Sequence, residues 1–540
     1  MAASFLLSEC LEKIFSNLLD IKPIPGICTS TKDLHSCTLV SRHWCRISTP
    51  ILYSYPFHHF RCSGDFEIYP YYFRLIRTLL SCIPKSEIEQ IKSSNSSNIQ
   101  RLLSNLSLSN QKQKSSPSTF NYITFIRGLI FDNKLINSNE LFYHKDIWLF
   151  PYISINNNIT KDQFSKISIP IINHLISFMC KYCNDLTTLQ LLDNLQSYEF
   201  CNNVIKLLTL KDCNENTKLN NLKEIFLINV EVTKIVDKKS SSHYLTLLNS
   251  VCNLNLLYNE IINSIEEASL LSQFISLQKN LRHLILSESK LNAFYGYNNI
   301  GYNNYNIVFN SLPKLSENLQ ILEFKYLSFN NINEDALNSL CLLKNIKELK
   351  FCNCKGINNN LNPWAKNLSK LEVFEFVGMY ISIMSEEFII EIIRSSSNTL
   401  TKLVLNCNIE LIRIFKQIPL YSHSLIYLEL PCILPIELIS IFKSCTQLVH
   451  LSITLSGDNL WEGDFRNLGK FIPKTLQKIQ CKGINNLVFI SNELKCFFEE
   501  CVNNDSKLKY LEIIGECNID KEYYDIANEF GVELRVLRSC

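Results

Sequence analysis

The chain has 540 residues, 46% of them apolar and 19% charged, with a formal net charge of only +2. That length exceeds one compact core, so several domains or a repeat array are expected. The charge is not concentrated into the basic excess that nucleic-acid binders carry, and no apolar run reaches the roughly 18 residues that cross a bilayer, so neither nucleic acid nor membrane is an expected partner.

At the N-terminus, Met1 to Leu7 is apolar, but Glu9 and Glu12 interrupt it and no basic segment precedes it. This is not the pattern of a signal peptide, and a cytoplasmic or nuclear protein is expected. The 22 cysteines follow no repeated spacing and many occupy apolar positions. In a reducing compartment they are expected to act as small buried hydrophobes.

The first helix is written in Leu7, Cys10, Leu11, Ile14, Phe15, Leu18 and Leu19, which follow the spacing of one helical face. Pro23, Pro25 and Gly26 end it. Leu34, Cys37, Leu39 and Val40 mark a second helix, and Trp44, Ile47, Ile51 and Leu52 a third. Three short helices in about 50 residues have little core of their own and usually need a partner surface. By periodicity alone they could equally be a helical cap on a larger domain.

The particular residues resemble those of an F-box. The resemblance covers Leu6-Leu7-Ser8-Glu9-Cys10-Leu11-Glu12-Lys13-Ile14-Phe15-Ser16-Asn17-Leu18, then Lys32-Asp33-Leu34, Leu39-Val40-Ser41-Arg42-His43-Trp44 and Pro50-Ile51-Leu52-Tyr53. Leu7 stands where the family usually has Pro, and the loop 20–31 is longer than usual. What the resemblance implies is docking to a Skp-type adaptor and, through it, to a cullin. The implied adaptor-binding residues are Leu11, Ile14, Phe15, Leu18, Leu34, Leu39, Val40, Trp44, Ile51, Leu52 and Tyr53.

Residues 56–185 read as a helical linker. Helices are predicted over Tyr71 to Leu80, Phe120 to Ile126 and Ile171 to Cys183. A Ser-, Asn- and Lys-rich stretch near 92–118 is expected to be a mobile loop.

From Leu186 one phrase recurs, L-x-x-L-x-L, with Ile, Phe or Cys in place of some leucines. Its eleven copies begin at Leu186, Leu222, Leu281, Leu319, Ile346, Leu371, Leu400, Leu425, Leu448, Leu476 and Leu508. This is the signature of a leucine-rich repeat, whose period is roughly 20–29 residues. Asn194, Cys354 and Asn408 also fit the Asn/Cys position that follows in some repeats. Each phrase should be a short strand whose leucines face the core, and each unit must stack on its neighbours to bury them. The predicted fold is therefore α/β: an F-box bundle over 1–55, the linker, and a leucine-rich-repeat solenoid over 186–540.

Residues between the leucines should alternate to the opposite face of the sheet. One such column contains Glu323, Lys350, Glu375 and Glu429, the expected target-binding residues. As three of these are acidic, a basic segment on the partner is expected. Taken singly, each reads first as a solvated strand residue.

Cys180-Lys181-Tyr182-Cys183 has metal or redox spacing but no second pair at suitable spacing. His58-His59 has no partnered acid. No catalytic motif, phosphate loop or zinc-protease motif is present, so no enzyme activity, cofactor or metal is expected. The expected function is substrate recognition in a Skp–cullin–F-box ubiquitin ligase. The alternative is a repeat scaffold or inhibitor acting outside any ligase.

Overall fold

The computed structural model describes residues 7–18, 32–57, 69–84, 120–130, 138–149, 160–183, 185–192, 208, 219–228, 250–260, 262, 265–288, 304–378, 385–407, 411–454, 465–484, 491–515 and 519–537. The expected mobile loop at 92–118, the loop 20–31, His58-His59, Asn194 and Asn408 lie outside them. The chain forms two compact units, Met1–Tyr258 and Asn259–Cys540.

The first unit opens with α1 (Ser8–Leu18), α2 (Lys32–Val40) and α3 (Arg42–Leu52). Their buried centre is Leu11, Phe15 and Leu34, with Cys37, Trp44, Ile47, Ile51, Leu52 and Tyr55 packed around it. Leu11 and Phe15 are four residues apart and share one face of α1. Ser41 separates α2 from α3 and caps the latter, its hydroxyl accepting the Trp44 backbone N–H at 3.1 Å. That satisfies one of the free donors at the helix start, and Trp44 sits edge-on against Phe15 with ring centroids 5.1 Å apart.

Helices α4 (Tyr69–Leu80), α5 (Ser138–Tyr143), α6 (Lys145–Trp148) and α7 (Lys161–Tyr182) follow. Thr160 and Gln163 form a reciprocal capping box at the start of α7.

The linker is not wholly helical. The helix predicted through Ile126 is only a 3-10 turn, Tyr122–Phe125, and the strand β1 (Gly128–Ile130) comes next. It pairs in parallel with β2 (Thr188–Leu192), which pairs in parallel with β3 (Glu224–Ile228). Strand β4 (Leu256–Glu260) lies beside β3, and the division between the units falls within it. The sheet thus begins well before Leu186. Its first strand follows the same rule as the others, with Ile126 and Leu129 fully buried in the two leading positions.

The helical bundle is joined to this sheet by backbone hydrogen bonds. The Ser54 carbonyl accepts the Arg127 and Gly128 amides at 2.8 and 3.0 Å. The same forked pattern recurs at the next steps, where the Arg127 carbonyl takes Thr187 and Thr188 and the Thr187 carbonyl takes Lys223 and Glu224. Gly128 is required by close approach, because the Tyr55 ring occupies the place where a Cβ would sit.

The second unit carries β5 (His283–Ser287), β6 (Ile321–Lys325), β7 (Glu348–Cys352), β8 (Val373–Val377), β9 (Lys402–Asn406), β10 (Tyr427–Leu430), β11 (His450–Thr454), β12 (Lys478–Ile484), β13 (Tyr510–Gly515) and β14 (Glu533–Leu537). Every one pairs in parallel with the next in chain order. Between them run the helices α8 (Ile265–Leu277), α9 (Asn304–Phe309), α10 (Glu334–Cys341), α11 (Asn362–Ala365), α12 (Glu386–Ser395), α13 (Ile412–Tyr421), α14 (Pro435–Ser444), α15 (Phe465–Leu468), α16 (Ser491–Asn503) and α17 (Lys521–Glu529). Parallel strands need such crossovers.

All eleven phrases lie on strands, and their leucine positions fill the core. Part of it is aromatic, with Phe324, Phe351 and Trp364 fully buried and mutually within 6.3 Å between ring centroids. Cys354 takes up the expected repeat position, its thiol donating to the Phe324 carbonyl at 3.3 Å.

Candidate functional site

The eleven residues implied by the F-box resemblance fall into three groups. Leu11, Phe15 and Leu34 are the bundle's own core and are not available to a partner. Trp44, Ile51, Leu52 and Tyr53 are half-buried. Ile14, Leu18, Leu39 and Val40 are exposed, Leu39 by 75% and Val40 by 61%. Leu7, not among the eleven, is also exposed. Ile14 and Leu18 lie four residues apart on α1, so they share one side of it. Leu39 and Val40 close α2 just before the Ser41 cap.

Tyr53 faces its own chain. Its ring packs on Tyr122 with centroids 4.2 Å apart, and burial, aided by Tyr122 and Cys82, pushes its hydroxyl up to about 12. It therefore helps to seat the bundle on the turn before β1.

In the second unit the expected column is in register. Glu323 lies opposite Lys350, Lys350 opposite Glu375, and Glu375 opposite Val404, which also lies opposite Glu429. It continues through Ser452, Gln480 and Glu512 to Arg535. Side chains directly opposite one another on neighbouring strands are within interaction distance.

The acids of this column are already paired. Glu323 contacts Lys350 and His283 at 3.2 Å each and Lys325 at 3.8 Å. Glu375 holds Lys402 at 2.6 Å. Glu429 holds Lys482 at 2.7 Å and accepts the Tyr427 hydroxyl at 2.9 Å. Glu512 holds Lys478 at 2.6 Å and Arg535 at 3.5 Å.

Burial would raise the Glu323 carboxyl, but the His283 hydrogen bond and the Lys350, His283 and Lys325 charges outweigh it and hold the carboxyl at about 2. The same balance, struck by Lys478 and Gln480, lowers Glu512. Glu323, Glu429 and Glu512 are themselves nearly inaccessible, whereas Lys350, Lys478, Lys482 and Arg535 are partly open. Each of these carboxylates thus already has a cation from its own sheet.

Lys402, Tyr427, His450, Lys478 and Lys482 were not picked out from the sequence. They stand two positions before or after the central column, on the same face of their strands. The signal for them was the period of two itself. Burial, together with Lys478, lowers His450 to about 4, which keeps it neutral beside the Tyr427 ring at 4.5 Å.

Cys180 and Cys183 are both buried. Burial and the neighbouring Cys183 push the Cys180 thiol well above its ordinary value, which disfavours the thiolate that metal or redox chemistry needs. Among the described residues no helix is long and apolar enough to cross a membrane.

The parallel strands in chain order and the phrases in register define an α/β array of the leucine-rich-repeat kind. No family model matches the chain, and no curated protein matches it. Among solved structures it is similar to the leucine-rich repeat-containing protein LegL7 from Legionella pneumophila, at 14% identity over 63% of this chain and 97% of that one, with a TM-score of 0.35.

Proposed function

We propose that this chain is a non-catalytic protein receptor: its N-terminal helices dock on a Skp-type adaptor of a Skp–cullin–F-box ubiquitin ligase, and its second unit holds a protein target on the outward face of β5 to β14. The observation that supports the adaptor site is the exposure of the apolar residues Ile14, Leu18, Leu39 and Val40 on a bundle whose described core is Leu11, Phe15 and Leu34. Solvating such side chains is unfavourable by roughly 25 cal/mol for each Å² of apolar surface, and a partner that covers them recovers that energy. The target surface is a mixed field of partly open lysines, Arg535 and tyrosine rings over buried carboxylates. Its large, ordered, chemically varied area suits a protein ligand. The receptor's contribution is to concentrate and orient the target, with no bond chemistry of its own.

A second reading has support of its own. The Ser54 carbonyl supplies the first hydrogen bonds of the β1 ladder, as a structural cap would, and a capped scaffold or inhibitor needs no adaptor. Affinity purification of the full chain, probed for adaptor and cullin, separates the two. Recovery of both is expected; recovery of neither would leave the scaffold.

A further inference from the structure

Strand β14 pairs with β13 on one side, and among the described residues no strand lies on its other side. The Glu533 amide donates to the Lys509 carbonyl at 2.8 Å. Peptide groups alternate in direction along a strand. Glu533 and Arg535 therefore turn their amides and carbonyls toward β13, and Leu534 and Val536 present theirs to the open edge. The Val532 amide is taken by the Ala527 carbonyl at 2.9 Å, which leaves the Val532 carbonyl facing the edge.

Side chains alternate as well. Glu533 and Arg535 are exposed on the outward face, where they pair with each other at 2.8 Å, a contact that the same two residue types can exchange across a strand pair; Val532 and Leu534 are buried on the core face, and Val536 is half-buried there.

The run Val532-Glu533-Leu534-Arg535-Val536 is its own complement when read antiparallel. With Leu534 opposite its copy, Glu533 meets Arg535 twice and Val532 meets Val536 twice. The edge amides and carbonyls then bond across the Leu534 pair and from each Val536 to the opposing Val532. Moving the centre one residue either way sets Glu533 against Glu533 or Arg535 against Arg535. One register satisfies both backbone and charge. Unpaired edge strands are ready templates for another chain, and a two-fold axis needs a self-complementary patch.

We propose that β14 is a homodimerisation edge, on which a second copy of this chain pairs antiparallel about Leu534. The proposal does not depend on the ligase reading. Five residues a side bury less than the roughly 1,000 Å² of a stable interface, so monomer and dimer exchange and the dimer fraction rises with concentration.

Sedimentation equilibrium of the full chain over a concentration series tests this, with circular-dichroism melts to verify folding. The wild-type mass should climb from 62.6 kDa toward twice that value. Glu533→Arg places like charges in both cross-strand positions and should weaken association about tenfold. Val536→Pro removes an edge amide without touching the β13 ladder and should leave monomer. Glu533→Arg with Arg535→Glu should restore association. A wild type that stays monomeric at every concentration, single variants that associate like wild type, or a double exchange no better than Glu533→Arg would each overturn the proposal. Monomers that instead pair β14 with a target strand would overturn it too.

Discussion

The two units repeat the same strand phrase but finish the outward face of their sheets differently. In the first unit Thr188, Gln190, Phe226, Leu256 and Tyr258 occupy outward positions and are all buried. Gln190 is 1% exposed, and neither its amide nitrogen nor its oxygen has a hydrogen-bond partner among the described residues. In the second unit the same positions hold Lys350 and the acids Glu323, Glu375, Glu429 and Glu512; Glu323, Glu429 and Glu512 are also buried, but every acid is paired with a partly open lysine. The leucines fix the backbone in both units, and the letter between them decides whether the face is finished with uncharged polar and apolar groups or with ion pairs.

That contrast can be broken at three positions. The largest effect is expected at Glu323, where Glu323→Leu strands His283, Lys350 and Lys325 and should cost about 2–3 kcal/mol. The wild-type pair should also be acid-sensitive. Its carboxyl lies below the ordinary value near 4.5, so its contribution is complete above that value and is lost as pH falls toward about 2. Chemical denaturation of both proteins at about pH 6 and about pH 3 checks this. The gap between them should shrink at the lower pH, and an unchanged gap would remove the electrostatic account.

Gly128→Ala comes next. It drives a methyl into the Tyr55 ring and should cost about 1–2 kcal/mol. A melt of the isolated protein reads it, and a neutral result would mean that the bundle can shift on the first strand.

The smallest and most telling change is Gln190→Leu. An unpartnered buried amide is unfavourable, so its replacement should be neutral or stabilising by about 1 kcal/mol. The sign is opposite to that of Glu323→Leu in the same column. A loss as large as that of Glu323→Leu would mean that Gln190 has a polar partner and that the two faces are not so different.

Much of this array is legible in the sequence because leucine spacing is a direct record of strand register. The eleven phrases fall on β2, β3 and β5 to β13. Those missed are the ones whose apolar code is worn. Strand β4 follows Leu254 and Leu257 but has Asn259 in the third place, and β14 opens on Gly531, held at a φ of 69°. Strand β1 uses Ile126 and Leu129 within a segment whose apolar run also fits a helix, and a short run cannot distinguish the two.

The candidate site is less legible, because periodicity marks an apolar position without saying which surface buries it. Leu11 and Ile14 belong to one stripe in the sequence, yet Leu11 lies in the core and Ile14 faces solvent. Likewise the acids of the column were visible, but lysines that neutralise them come from the next strand or the one beyond it, 27 to 53 residues distant in the chain.

The exposed apolar residues of α1 and α2 are the centre of the functional account, and adaptor titration by calorimetry tests it most directly. Full-length wild type is compared with Ile14→Asp and Leu39→Asp, both at exposed positions, each variant being checked by its melt. An apolar anchor is worth about 2 kcal/mol or more at an interface. The account predicts that wild type binds a Skp-type adaptor and that each variant loses about thirtyfold in affinity while its melting temperature is unchanged. Undiminished binding by both variants, or a wild type that does not bind the adaptor at all, would contradict it.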